Sequence, residues 1–184
     1  MPLFPMFVDL TDKPVVIIGS GHHVSEKAEK LAPFGCHLRY CATEAFAPEL
    51  LEGAAAVILA DRHHPRNAAL AALCREKGIP VNAVDDPPLC DFQFPSLVCR
   101  EDLVIAISTA GKAPALGKLL RRELEERLPD RTEEILAWSS GLTRELRREI
   151  PDLHTRGQIL QAILREALTK NRPLTPEELT QFMS

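Results

Sequence analysis

The chain has 184 residues, 45% of them hydrophobic and 26% charged, with a formal net charge of −4. That length admits one α/β domain plus a helical appendage but not two full domains, and the composition is globular rather than disordered. The acidic balance argues against a general nucleic-acid binder, and no apolar run approaches the ~20 residues of a bilayer span.

The N-terminal MPLFPMFVDL shows neither the basic region nor the cleavage site of a secretory signal. Lys13 to Ile18 is a short β-branched run ending at Gly19, the pattern of a strand buried on both faces. Val24, Ala28, Leu31 and Ala32 then share one face of a helix that stops near Pro33 and Gly35. Cys36 to Cys41 reads as a second strand. The link from 42 to 54 has room for one helical turn, and Ala55 to Ala60 reads as a third strand. Pro65 opens a second helix with Ala68, Ala69, Ala72 and Leu73 facing inward, stopped by Gly78 and Pro80. Val81–Val84 and Leu103–Ile107 read as further strands. Strands alternating with helices predict a doubly wound parallel sheet over residues 1–113.

From Pro114 the pattern is helical. Leu116, Leu119, Leu120, Leu124 and Leu128 form one stripe. Ile135, Leu136, Leu142, Leu146 and Ile150 form a second, and Ile159, Leu160, Ile163, Leu164, Ala167 and Leu168 a third. Thr175-Pro176-Glu177-Glu178 reads as a capping box. Stripes of this length must bury against something, which suggests a dimer interface over 114–150 followed by a C-terminal helical region over 151–184.

Three segments carry candidate chemistry. Gly19-Ser20-Gly21-His22-His23-Val24 joins a strand to a helix. It is either a dinucleotide-binding turn, with a pyrophosphate at the helix N-terminus, or a plain strand–helix turn. Asn82-Ala83-Val84-Asp85-Asp86 ends a predicted parallel strand, where a carboxylate is either an acid–base group or the cap of the turn before Pro87. Ser108-Thr109-Ala110-Gly111-Lys112 offers hydroxyls and backbone N–H groups to an anion, or caps the helix that follows. His22-His23, His63-His64, His37 and His154 read as loop histidines, since no two of them are spaced i, i+4. The five cysteines lack a CxxC and read as reduced thiols, with Cys90 and Cys99 as small buried hydrophobes rather than nucleophiles. No metal site is expected, and the overall expectation is a soluble, cytoplasmic protein.

Three stretches together are more specific than any one of them. PLF..LTDKPVVIIGSG, NAVDDPPLCDFQFPS (82–96) and LVIAISTAGKAPALG (103–117) resemble the precorrin-2 dehydrogenase family. Its members occur alone and as the N-terminal module of siroheme synthase. The likeness covers residues 3–129 well and the helical tail more loosely. It implies a Rossmann-like domain followed by an all-helical dimerisation and C-terminal region, a homodimer, and NAD-dependent oxidation of precorrin-2 to sirohydrochlorin. By the same resemblance Asp85 is the catalytic base. Gly19, Ser20, Gly21, His22, His23, Thr43 and Glu44 face NAD, and Asn82, Ser108, Thr109, Gly111 and Lys112 lie on the tetrapyrrole side. Arg121, Arg122, Arg147, Arg148, Lys112 and Arg156 are candidate partners for the substrate carboxylates by charge alone. The family's turn GGGxVA reads GSGHHV here, its A-T-D-D reads Ala60-Asp61-Arg62-His63, and the strand it places after the second core strand is missing. These departures leave a sirohydrochlorin metal chelatase and a non-redox tetrapyrrole-binding protein as alternatives.

Overall fold

The computed structural model describes residues 3–182; Met1, Pro2, Met183 and Ser184, at the ends of the first and last expected regions, lie outside the described residues. The chain divides into two compact units, the first running to Phe94 and the second starting at Pro95.

The first unit holds β1 (Pro14–Ile18), α1 (His22–Leu31), β2 (His37–Cys41), β3 (Ala56–Leu59), α2 (Asn67–Glu76) and β4 (Val81–Ala83). The strands form one parallel sheet in the order β2-β1-β3-β4. Alternate residues of the central strands enter two cores, as expected of a sheet covered on both faces. Val15, Ile17 and Ile58 pack with Leu31, Val24, Ala28, Phe92 and Phe94; Val16, Ile18, Val57 and Leu59 pack with Leu70, Ala71 and Cys74. Each such aliphatic side chain contributes about 1.5–3 kcal/mol when fully buried.

The link from β2 to β3 is two short 3₁₀ turns, Thr43–Ala45 and Pro48–Leu51, in place of a crossover helix. Arg39 Nη1 pins it by donating to Leu50 O at 3.2 Å and Glu52 O at 2.8 Å. The second helix starts at Asn67 rather than Pro65, and its inward face is Asn67, Leu70, Ala71 and Cys74; Ala68, Ala69 and Ala72 are exposed. Both sets fit a helical period. The observed one buries the larger Leu70, which removes more apolar area from water than an alanine.

β4 is an edge strand, and Cys90 and Asp91 cover it. Asp91 N–H donates to Val81 O at 2.7 Å, and Val81 N–H donates to Asp91 Oδ2 at 3.0 Å. Ala83 N–H donates to Cys90 Sγ at 3.2 Å, and the thiol donates back to Ala83 O at 3.2 Å. The pair stands in for a fifth strand and shields the edge. The Cys90 thiol is taken up by these bonds, and burial pushes its pKa above the ordinary value, so it serves the edge rather than as a nucleophile; Cys99, also expected to be buried, is exposed.

The second unit opens with β5 (Ser96–Arg100) and β6 (Leu103–Ile107), an antiparallel hairpin in its own sheet. The sequence reading put 103–107 in the parallel sheet. Only Glu101 and Asp102 separate the two strands, and a parallel partner needs a crossover of a dozen residues, so the hairpin is the only pairing that this turn allows. Four helices follow: α3 (Pro114–Arg127), α4 (Thr132–Glu149), α5 (Leu153–Lys170) and α6 (Pro176–Thr180). Ile135, Leu142, Leu146, Ile163, Ala167 and Leu174 form the core of the last three, while α3 packs on the hairpin. Asp152 caps α5 by accepting from Thr155 N–H at 2.7 Å, and Thr175 and Glu178 form the expected capping box of α6. Among the described residues no helix is long and apolar enough to cross a membrane.

Candidate dinucleotide and catalytic site

β1 and β3 are neighbours, and the chain leaves β1 toward β2 on one side and arrives at β3 from the other. Their carboxyl ends therefore bound the crevice in which open α/β sheets hold ligands. Gly19 (φ 138°) and Gly21 (φ 72°) turn the chain from β1 into α1. Gly21 is the N-cap of α1 without a side-chain cap, and the first turn carries no acid. Backbone donors at a bare helix N-terminus are suited to an anion. A Cβ on Gly21 would meet nothing within 4 Å, so the turn is open there.

Asp61, one residue beyond Ala60 at the end of β3, joins the candidate site although the sequence reading does not single it out. Its Oδ1 accepts from Ser20 N–H at 2.9 Å and from Ser20 Oγ–H at 3.2 Å, and its Oδ2 accepts from Thr43 Oγ1–H at 2.7 Å. A Cβ on Gly19 would stand 2.9 Å from Asp61 N and 3.1 Å from Ala60 Cβ. The first glycine is thus required by the approach of Asp61. Burial pushes the Asp61 carboxyl upward, but the hydrogen bonds from Thr43 and Ser20 outweigh it and hold the group below the usual aspartate range. Asn67, buried at the start of α2, donates to Asp61 O at 2.8 Å and fixes the backbone.

Thr43 is buried, and its carbonyl accepts from Arg66 Nη1 at 2.7 Å. Its side chain thereby joins the turns after β1, β2 and β3 through Asp61. Glu44 is exposed and pairs with His64 Nε2 at 3.1 Å. His22, His23 and Glu26 gather on the first turns of α1, with His23 Nδ1 3.6 Å from Glu26 Oε2.

Asp85 follows β4 in the left-handed conformation (φ 57°), while Val84 N–H still donates to Leu59 O at 2.9 Å. A non-glycine residue held there is an outlier of the kind that concentrates at functional sites. Arg62 Nε donates to Asp85 Oδ2 at 2.6 Å, with both side chains half exposed. Lys27 is a second neighbour that the sequence did not single out. Burial and the like charge of Lys30 push its ammonium below the usual lysine value, while Glu26 and Asp85 pull it back up. Its Nζ sits 4.9 Å from the Phe94 ring centroid. Asn82, expected on the substrate side, is buried and donates to Phe92 O at 2.9 Å, so it anchors the strand from which Asp85 emerges.

Ser108, Thr109, Gly111 and Lys112 lie in the second unit, between β6 and α3. Ala110 (φ 51°) and Gly111 (φ 76°) are both left-handed there. Ser108 Oγ accepts from Ala110 N–H at 3.1 Å, and Thr109 Oγ1 accepts from Ala113 N–H at 3.3 Å. Thr109 thus ties down the start of α3. Two of the cations suggested by charge are committed elsewhere: Arg121 pairs with Glu125, and Arg156 Nη1 donates to Ile150 O at 2.8 Å.

Residues 6–96 match a family model described as "Putative NAD(P)-binding", and residues 100–127 match one described as sirohaem biosynthesis protein central. The chain belongs to the family of the siroheme synthase N-terminal module. It is 30% identical over 202 residues to the siroheme synthase of Ectopseudomonas mendocina, covering 98% of this chain and 44% of that protein. It is 36% identical over 148 residues to siroheme synthase 1 of Pectobacterium atrosepticum, covering 70% and 31%. The chain therefore spans less than half the length of these relatives. The structure of SirC, precorrin-2 dehydrogenase, shares the fold with a TM-score of 0.69 at 16% identity, over 98% of this chain and 97% of that one. The chain thus has a Rossmann-like parallel sheet in a region that matches a putative NAD(P)-binding family, followed by a region that matches the sirohaem biosynthesis central family.

Proposed function

We propose that the chain catalyses NAD-dependent dehydrogenation of precorrin-2 to sirohydrochlorin in the cytoplasm, with Asp85 as general base. The observation that carries this reading is Asp85 itself, a left-handed carboxylate at the carboxyl end of a parallel strand, aimed by Arg62 at 2.6 Å. The glycine turn and the uncapped N-terminus of α1 suit a pyrophosphate. Gly19, Ser20, Gly21, His22 and His23 would hold that part of NAD, and Thr43 and Glu44 the ribose side. NAD, when bound, supplies the hydride acceptor. Asp85 takes the proton that leaves the substrate carbon, and Arg62 keeps the carboxylate in one orientation. Ser108, Thr109, Gly111 and Lys112 would face the substrate carboxylates, with Asn82 acting through the position of β4. The test is the oxidation assay on the wild type and on Asp85→Asn, whose loss of turnover with an intact fold supports the assignment.

The domain assignment follows the same reading, with an NAD-binding region within 1–113 whose parallel sheet lies in the unit ending at Phe94, a dimerisation region over 114–150 and a C-terminal helical region over 151–184. Leu116, Leu119, Leu120 and Leu124 of α3 are 37–50% exposed, an apolar face suited to a second copy of the chain.

One observation favours a second reading, a chelatase or non-redox tetrapyrrole-binding protein. Asp61 already occupies the Ser20 N–H, and a pyrophosphate at that turn must share or displace a carboxylate. Binding of sirohydrochlorin without NAD affinity would select it.

A further inference from the structure

The first turns of α1 bring together three side chains whose donor atoms suit a metal ion. His22, His23 and Glu26 stand at i, i+1 and i+4, so Glu26 is one helical turn from both histidines. One ligand atom from each lies within 4.8 Å of the others. His23 Nδ1 is 3.6 Å from Glu26 Oε2, close to the ~3.3 Å edge that a tetrahedron with ~2.0–2.1 Å bonds requires. His23 Nδ1 is buried and makes no hydrogen bond within 3.5 Å, its partner being the long contact to Glu26 Oε2 at 3.6 Å. A cation bound between the two would give that nitrogen a full bond.

Glu26 is prepared for the same role. Its Oε1 accepts from Lys30 Nζ at 2.7 Å and lies 3.5 Å from Lys27 Nζ. Oε2 is left toward His23. A ligating carboxylate held by an outer hydrogen bond is the usual arrangement around a bound ion. We propose that His22, His23 and Glu26 form a binding site for a divalent transition ion of the zinc class. The two lysines and the positive end of α1 oppose any cation, so binding depends on imidazole–metal bonding rather than on attraction of charge. The site therefore selects zinc and cobalt over magnesium and calcium. The ion takes the two histidines assigned above to the pyrophosphate, and three protein ligands leave its fourth position open to a pyrophosphate oxygen or water.

The test uses the full chain without a histidine tag, titrated with zinc chloride by calorimetry and with cobalt by visible absorption. One equivalent of zinc binds, and His22→Ala, His23→Ala and Glu26→Gln each weaken binding at least tenfold. His37→Ala and His154→Ala leave it unchanged, and magnesium does not compete. Zinc also raises the melting temperature of the wild type but not of Glu26→Gln, a near-isosteric change that keeps the test open if His23→Ala misfolds. No stoichiometric binding, or binding unmoved by Glu26→Gln, overturns the proposal. So does a cobalt spectrum with thiolate charge transfer, which would place the ion on the cysteines.

Discussion

The backbone N–H of Ser20 donates to Oδ1 of Asp61 at 2.9 Å, so a carboxylate of the protein occupies a donor of the glycine turn. At an effective dielectric near 20, relieving one like charge close to a pyrophosphate is worth about 1–2 kcal/mol, roughly tenfold in affinity. Asp61→Asn is expected to bind NAD about tenfold more tightly by calorimetry. It should also melt at a lower temperature, because charge-assisted hydrogen bonds from Ser20 and Thr43 are weakened. Unchanged or weaker NAD binding would show that the carboxylate helps the cofactor instead of competing with it.

The same group sets an acid dependence. The folded-state pKa of Asp61 lies below its ordinary value, so its contribution to stability is present above about pH 4 and is lost as the pH falls through the folded value. Thermal melts of wild type and Asp61→Asn should differ by a constant amount at neutral pH and converge below about pH 4. A gap that persists at low pH would mean that the ionised carboxylate is not its source.

The two glycines of the turn should respond differently. Gly19→Ala puts a Cβ 2.9 Å from Asp61 N at φ 138°, and should cost about 2–4 kcal/mol or prevent folding. Gly21→Ala meets open space but must hold a backbone (φ 72°, ψ −155°) that is essentially confined to glycine, and should cost about 1–3 kcal/mol. Chemical denaturation of both variants measures the contrast.

At Asp85 the conservative variant is asparagine, which tolerates the left-handed region better than alanine. Asp85→Asn is expected to lower turnover by about 10²–10⁴-fold, the usual worth of a positioned base, with little change in melting temperature. Arg62→Ala should lower turnover less, since it removes only the orienting partner. Steady-state kinetics on both variants gives the ordering, and the reverse order would move the catalytic role to Arg62.

The apolar face of α3 provides a test of assembly. Leu116→Glu with Leu119→Glu places two charges on a surface that is already exposed in one chain, so the monomer fold should survive. Sedimentation should then show the wild type as a dimer and the double variant as a monomer. A monomeric wild type would remove the dimerisation role from this helix.

Much of the fold was legible in the sequence because the central strands are β-branched runs and the helical stripes are long. Val15–Ile18 and Val57–Leu59 are buried as their composition requires. The hairpin escapes the sequence reading because Leu97–Arg100, just past the motif that ends at Ser96, is assigned to no element, although the two-residue connection to Leu103 forbids a parallel pairing. The register of α2 was displaced because alanines carry little directional information beside Leu70 and Cys74. In the candidate site, the sequence reading names Gly19, Ser20 and Asp85 from motif and position, and Thr43 from the family resemblance. Asp61, Arg62 and Lys27 are not among them, since their roles arise from contacts across strand ends that are distant in sequence. The one local hint was Asp61 next to Ala60 at the end of an apolar strand, where ligand-facing groups collect.

The central claim is most directly tested by anaerobic incubation of the full chain with precorrin-2, with and without NAD and free of added metal, followed by absorbance. The account predicts sirohydrochlorin only when NAD is present. Precorrin-2 that stays bound and unconverted in the presence of NAD would contradict it.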